Sequence, residues 1–294
     1  MKWGTVAIIG RSNVGKSTLL NRLLNEKIAI VSDKPQTTRT RILGVAHVRD
    51  AQIAFLDTPG LHEPQHLLNR RMVRTTLESF EDADVIYVVV DATTQPGPGD
   101  RIVVRHIQNA VTKHSRPIVL AVNKVDMVNK SKLLPILQNY SRLFPWAEVV
   151  PLSARSGDNV KRLLDTTVAL LPEGSGPYEE DMVTDQPMRT LAAELIREKI
   201  LAQTYEEIPH AVAVEIEQFQ EIGKLARINA TILVEKESQK AIVIGKHGER
   251  LKQVGSAARK EMERLFGMKV FLEMWVKVRE AWREDEQVLT ELGY

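Results

Sequence analysis

Gly10-Arg11-Ser12-Asn13-Val14-Gly15-Lys16-Ser17 follows the apolar run Thr5-Val6-Ala7-Ile8-Ile9 and leads into Thr18-Leu19-Leu20-Asn21-Arg22-Leu23-Leu24, whose leucines recur at helical spacing. The octet fits G-x-x-x-x-G-K-[ST], and strand, glycine-bearing turn and helix stand in the order a phosphate-binding loop requires. Backbone N–H groups at a helix N-terminus face a phosphate, and the aligned peptide dipoles favour its charge. Gly10, Asn13, Val14, Gly15, Lys16, Ser17 and Thr18 are therefore the expected cradle. Lys16 would reach the β- and γ-phosphate oxygens as a catalytic cation, and the Ser17 hydroxyl would bind Mg2+.

A phosphate loop does not select the base, so the base is read from Val119-Leu120-Ala121-Val122-Asn123-Lys124-Val125-Asp126, an apolar strand ending in N-K-x-D. A carboxylate at Asp126 accepts the ring N–H and the exocyclic amine of guanine, whereas adenine offers a bare acceptor there and is repelled. Asn123 would support the loop, and the aliphatic stem of Lys124 would cover the ring plane. Downstream, Glu148-Val149-Val150-Pro151-Leu152 leads into Ser153-Ala154-Arg155, where the Ala154 N–H would donate to the guanine O6, although S-A-R by itself is a weak signal. A third strand, Ala54-Phe55-Leu56, ends in Asp57-Thr58-Pro59-Gly60. Asp57 suits a carboxylate acting on Mg2+ through water, and Gly60 can turn its N–H toward a γ-phosphate without a Cβ clash.

Apolar strands near 5–9, 52–56, 85–90, 117–122 and 148–152 alternate with helical patterns near 16–25, 67–80, 100–114, 130–143 and 159–171. This alternation predicts an α/β, doubly wound, mostly parallel sheet with nucleotide loops at the carboxyl ends of its strands. The four motifs in this order resemble the G domain of translation-factor-related small GTPases, over residues 1–172. Lys34-Pro35-Gln36-Thr37-Thr38-Arg39 resembles the first switch of the Era/TrmE-like group, where a threonine closes on Mg2+ in the GTP state. Thr38 is favoured for that role, with Thr37 left open. The resemblance also implies GTP and GDP as ligands, Thr38 and Gly60 as parts of the catalytic centre, and a K+ ion bound by Asn13. Ras-like enzymes place a water-orienting glutamine after the switch glycine. Here that position is Leu61, so slow intrinsic hydrolysis is expected, and His62 and Gln65 are weak substitutes.

The pattern stops at Pro172, and the Gly/Pro-rich acidic stretch 173–187 reads as a linker. Residues 188–294 read as a second, α+β domain. A helix over 188–206 precedes alternating strands at 210–219 and 226–235. The run Ala241-Ile242-Val243-Ile244 enters Gly245-Lys246-His247-Gly248, a basic helix follows, and a strand over 269–279 and a helix over 281–292 end the chain. That order resembles a type II KH domain, whose G-x-x-G loop clamps four single-stranded nucleotides. Gly245, Lys246, His247, Gly248, Arg250 and Lys252 are the expected RNA contacts. Between 240 and 264, seven basic residues (240, 246, 250, 252, 259, 260, 264) face three glutamates, so the basic footprint is local. Met274, Trp275 and Trp282 are read as packing residues.

With 294 residues, 43% of them apolar, there is room for two cores; the absence of cysteine excludes disulfides and thiolate metal sites. The N-terminus enters its first strand at once, no apolar run reaches a membrane-spanning length, and a cytoplasmic location is expected. G domain and KH-like domain together resemble the Era family of bacterial GTPases. The resemblance implies binding to the 3′ end of 16S rRNA and the 30S subunit and peripheral contact with the inner face of the cell membrane; a monomer is expected. The competing reading is a signalling GTPase whose second domain docks a protein.

Overall fold

The computed structural model describes residues 1–48, 50–111 and 116–294. By internal contacts the chain forms two compact units. One comprises Met1–Ala29, Thr38–Gln65 and Asn69–Asp185; the other comprises Ile30–Thr37, His66–Leu68 and Gln186–Tyr294.

The first unit holds β1 (Lys2–Ile9), α1 (Lys16–Leu24), β2 (Ile42–Val48), β3 (Ala51–Asp57), most of α2 (Leu67–Glu81), β4 (Val85–Asp91), α3 (Pro98–Val111), β5 (Ile118–Asn123), α4 (Lys130–Ser141), β6 (Glu148–Pro151) and α5 (Val160–Leu170). Of the helix expected over 100–114, positions 112–114 lie outside the described residues. The sheet runs β2-β3-β1-β4-β5-β6, with only β2 antiparallel to its neighbour. Both faces are covered, which is why the strands read as unbroken apolar runs. Val6 and Ile8 of β1, with Tyr87 and Val89 of β4, enter one core with Leu19 and Leu20 of α1 and Leu163 of α5. Ala7, Ile9, Ile86 and Val88 point the other way, toward Val103 and Ile107 of α3 and Tyr140 of α4. The edge strand β2 has no counterpart among the expected strands.

The acidic Gly/Pro stretch lies along the first unit as far as Asp185. Gln52 exchanges two hydrogen bonds with the Tyr178 backbone (2.8 and 3.1 Å), and Trp3 meets Tyr178 edge-on at 5.7 Å. The Val45 N–H donates to Val183 O at 2.8 Å, which covers part of the open edge of β2.

The second unit contains α6 (Met188–Gln203), α7 (Ile208–Ala211), β7 (Ala213–Ile222), β8 (Leu225–Val234), α8 (Glu237–Ile244), α9 (Glu249–Phe266), β9 (Lys269–Val278) and α10 (Glu286–Glu291). Its sheet runs β7-β8-β9, with β7 antiparallel and β9 parallel to β8. One face packs on α6 and α9 through Ile196, Ile200, Ile228, Ile232, Val254 and Met262. The Ile30–Thr37 segment counts with this unit: the Val31 N–H donates to Glu198 at 2.9 Å, and the buried Arg197 guanidinium donates to Thr37 O. Trp282 is fully buried, with Nε1 donating to Ala211 O at 2.9 Å. Trp275 departs from the packing expected of it and is 45% exposed. Strand alternation puts Trp275 on the face of β9 shared with Phe271, opposite Met274 and Leu272.

Trp282→Ala removes a filled core position and an indole hydrogen bond together. We expect it to destabilise the second unit by about 3–5 kcal/mol, read as a lower midpoint in urea denaturation followed by tryptophan fluorescence.

Candidate nucleotide and nucleic-acid sites

The phosphate loop joins β1 to α1. Gly15 caps α1 at φ +94°, with no side chain closing the helix end, so the first-turn N–H groups face the loop. The Lys16 ammonium lies at its centre, only 6% exposed, donating to Gly10 O at 3.3 Å and Arg11 O at 3.0 Å. Burial pulls its pKa down to about 8, opposed by the nearby Asp57 charge. Asn13 has φ +64°, and its carbonyl accepts from Lys124 Nζ at 2.7 Å.

Ser17, Thr38 and Asp57 come together within the first unit. Ser17 Oγ lies 2.8 Å from Thr38 Oγ1 and donates to Asp57 Oδ2 at 2.6 Å. Thr37, by contrast, turns its hydroxyl back to Lys34 O at 2.7 Å. Asp57 is fully buried, and burial raises its carboxyl to about 6 even with Lys16 and Ser17 favouring the charge. Its Oδ1 is a buried oxygen without a hydrogen-bond partner. Two hydroxyls beside an under-satisfied buried carboxylate form an all-oxygen set suited to a small hard cation such as Mg2+. Gly60 approaches the phosphate loop closely, since a Cβ there would stand 2.7 Å from the Ser12 nitrogen. Thr76 of α2 steadies the same turn by donating to Pro59 O at 3.0 Å. Leu61 is buried in the core, with its N–H on Gly10 O at 3.1 Å, and His62 Nδ1 is hydrogen-bonded to Gly60 O at 2.7 Å.

Around the base position, Asn123 ends β5 with a buried side chain. Its Nδ2 donates to Val14 O at 2.8 Å and its Oδ1 accepts the Ala154 N–H at 2.9 Å. Asp126 stands exposed on a 3-10 turn, Val125–Met127. Lys124 is held over this mouth by Asp91 Oδ2 at 2.7 Å, and Asp91 is itself oriented by Thr93. Ser153 is buried, and its Oγ accepts the Ser156 N–H at 3.0 Å.

Sequence reading passed over three supports of these loops. Asp91 carried a signal, a lone carboxylate closing an apolar strand. Arg11 pairs with the buried Asp100 at 3.2 Å and donates to Thr94 at 2.9 Å, and Arg22 reaches the Ser153 turn; such pairings have no fixed spacing.

In the second unit, Gly245 (φ +74°), His247 (φ +51°) and Gly248 (φ +78°) form a tight turn opening α9. Gly248 has open space where a Cβ would stand. A cleft of about 420 Å³ beside this loop is lined by Gly248, Lys252, Gly255, Arg259, Leu272 and Met274, among others. Lys252 thus borders the cleft, whereas Arg250 turns back to donate to Ile242 O and closes the loop. The cleft wall from β9 was not legible as a site, because Leu272 and Met274 read as ordinary inward-facing residues.

Residues 5–124 match a family model described as a 50S ribosome-binding GTPase, and residues 207–283 match a KH domain model. The chain is 47% identical to the GTPase Era of Geobacter metallireducens, covering 99% of this chain and 97% of the relative. It is 49% identical to that of Leuconostoc citreum, covering 100% and 96%. The chain belongs to the Era GTPase family. A crystal structure of Era with MgGDPNP and nucleotides 1506–1542 of 16S ribosomal RNA superposes with a TM-score of 0.95 at 42% identity, covering 100% of this chain and 99% of that one. A single-residue variant of Aquifex aeolicus Era bound to GDP·AlF4− gives the same score, identity and coverage. The type II KH expectation accords with the KH match and with the parallel β8-β9 pairing.

Ser17→Ala removes the hydroxyl shared by Thr38 and Asp57. Mg2+ is expected to strengthen nucleotide binding at least tenfold less than in the parent chain, measured by nucleotide titration with and without Mg2+.

Proposed function

We propose that this protein is a GTP-binding and GTP-hydrolysing switch that binds the 3′ region of 16S rRNA on the 30S subunit and assists small-subunit assembly. The observation that carries the switch is the Ser17–Thr38–Asp57 cluster, which joins phosphate loop, first switch and D-T-P-G turn at one point. The site residues act in two groups. Gly10, Asn13, Val14, Gly15, Lys16, Ser17 and Thr18 bind the phosphates, while Asn123, Lys124, Asp126, Ser153 and Ala154 bind guanine. Ser17, Thr38 and Asp57 would hold Mg2+, the two hydroxyls as direct ligands and the carboxylate through water. When bound, Mg2+ neutralises charge on the β- and γ-phosphate oxygens. Thr38 and Gly60 respond to the γ-phosphate, so its loss releases both segments. Leu61, which cannot hydrogen-bond a water through its side chain, is buried at the position after the switch glycine, which supports slow intrinsic turnover. Asn13 is the residue for K+, and turnover is expected to rise when K+ replaces Na+ at equal ionic strength.

For RNA, the G-x-x-G turn that carries Lys246 and His247, together with the adjoining cleft lined by Gly248, Lys252, Arg259, Leu272 and Met274, supports clamping of a single strand. The description of the G-domain model names the 50S particle, whereas the full-length structural relative carries 16S nucleotides. The KH match favours the latter for this chain. We assign 1–172 to the G domain, 173–187 to a connector and 188–294 to the RNA-binding domain. Among the described residues no helix is long and apolar enough to cross a membrane. The protein acts in the cytoplasm as a monomer, with any membrane contact peripheral.

A short single-stranded RNA from the 16S 3′ end should bind more tightly with a GTP analogue than with GDP at fixed salt, and equal affinity would remove the switch. Gly248→Asp should weaken that RNA roughly tenfold or more by repelling phosphate, with nucleotide affinity unchanged. Asp126→Asn should lower GTP affinity roughly 10²-fold or more, because two charge-assisted bonds to the base are lost.

A further inference from the structure

Arg22 lies outside every motif used above. From the last turn of α1 its Nε donates to Ala154 O at 3.0 Å, and a terminal NH2 group donates to Arg155 O. Gly157, at φ +94°, lies beneath the side chain, and a Cβ added there would meet the guanidinium at 3.9 Å. The turn is otherwise largely self-bonded: the Ser153 N–H donates to Asp158 O at 3.0 Å and the Gly157 N–H to Ser153 O at 2.8 Å. Ala154 is thus gripped from two sides. Asn123 of β5 takes its N–H and Arg22 of α1 takes its carbonyl. The same helix begins with Lys16 and Ser17, and six residues of helix span about 9 Å. One rigid element carries the phosphate contacts at its start and supports the base loop near its end.

We propose that Arg22 is a positioning residue for guanine recognition. By holding the carbonyls of Ala154 and Arg155, it sets where the Ala154 N–H meets the O6 edge of the base, with O6 joining Asn123 Oδ1 as a second acceptor. The inference rests on the guanine reading of Asp126 and Ala154 given above.

The test compares the full chain with Arg22→Met for binding of GDP, 6-thio-GDP and IDP. The first analogue weakens the acceptor at position 6; the second lacks the amine assigned to Asp126. Arg22→Met should weaken GDP by about tenfold, the scale of one charge-assisted hydrogen bond. It should weaken 6-thio-GDP much less, so that the preference for GDP over 6-thio-GDP shrinks while the preference over IDP stays. Arg22→Lys, with a compact cation in place of the planar fork, should fall between. An equal loss for all three ligands would make Arg22 merely structural and overturn the proposal, as would no loss. A parent chain that binds ADP as tightly as GDP would overturn the guanine reading, and the proposal with it, without any variant being involved.

Discussion

The carboxamide of Asn123 is the interaction on which the nucleotide site depends. Buried at the carboxyl end of a central strand, it donates to Val14 O in the phosphate loop and accepts from the Ala154 N–H in the base loop. Neither backbone group is exposed to water, so each would cost about 1–3 kcal/mol if left unpaired. A carboxylate could accept from Ala154 but not donate to Val14, and an ammonium could do only the reverse. An amide of this length satisfies both ends, and by doing so fixes the distance between phosphate and base recognition.

Other polar contacts brace this frame. Lys124 spans from Asp91 to the carbonyl of Asn13, and Arg11 runs from the phosphate loop to Asp100 at the start of α3. All of them sit at carboxyl strand ends, where the parallel sheet stops and backbone groups need partners. The resulting loops are held by side chains whose own positions are set by two close-packed cores. Against that rigid frame, Ser17, Thr38 and Asp57 form a small all-oxygen cluster, with burial disfavouring the carboxylate charge. A bound cation relieves that penalty, so the cost built into the site becomes part of its affinity.

The second unit shows a different economy. Its sheet packs one face on α6 and α9, while the other is buried at Ala213, Thr231 and Leu233 and open farther along, where Phe271 and Trp275 are exposed. On β9, Leu272 and Met274 face inward to the cleft wall while Phe271 and Trp275 face out. Trp275 is exposed because of its position rather than its type: a large apolar side chain on the outward face of β9 is only partly covered there. The edge strand β2 escaped notice for a related reason. In Ile42–Val48, Gly44 and the exposed His47 interrupt the apolar signal, and the strand is defined by its ladder with β3. The acidic stretch after Pro172 carried the composition of a free linker, yet Tyr178 and Val183 find partners in Gln52 and Val45.

What the sequence alone determined is what short-range order dictates. Contiguous motifs bring their own geometry, so G-x-x-x-x-G-K-S, D-T-P-G, N-K-x-D and G-K-H-G announced the loops, and unbroken apolar strands announced a sheet covered on both faces. What the tertiary structure decided lies between residues far apart in the chain. It set Thr38 rather than Thr37 against Ser17, closed Arg250 onto its own loop, turned Trp275 outward, and drew Arg22, Arg11 and Asp91 to the nucleotide loops. Hydrogen bonds across 80 or 130 residues leave no periodic trace. They exist because folding buries backbone carbonyls and charges that must find partners, and which side chain reaches them is settled by packing alone.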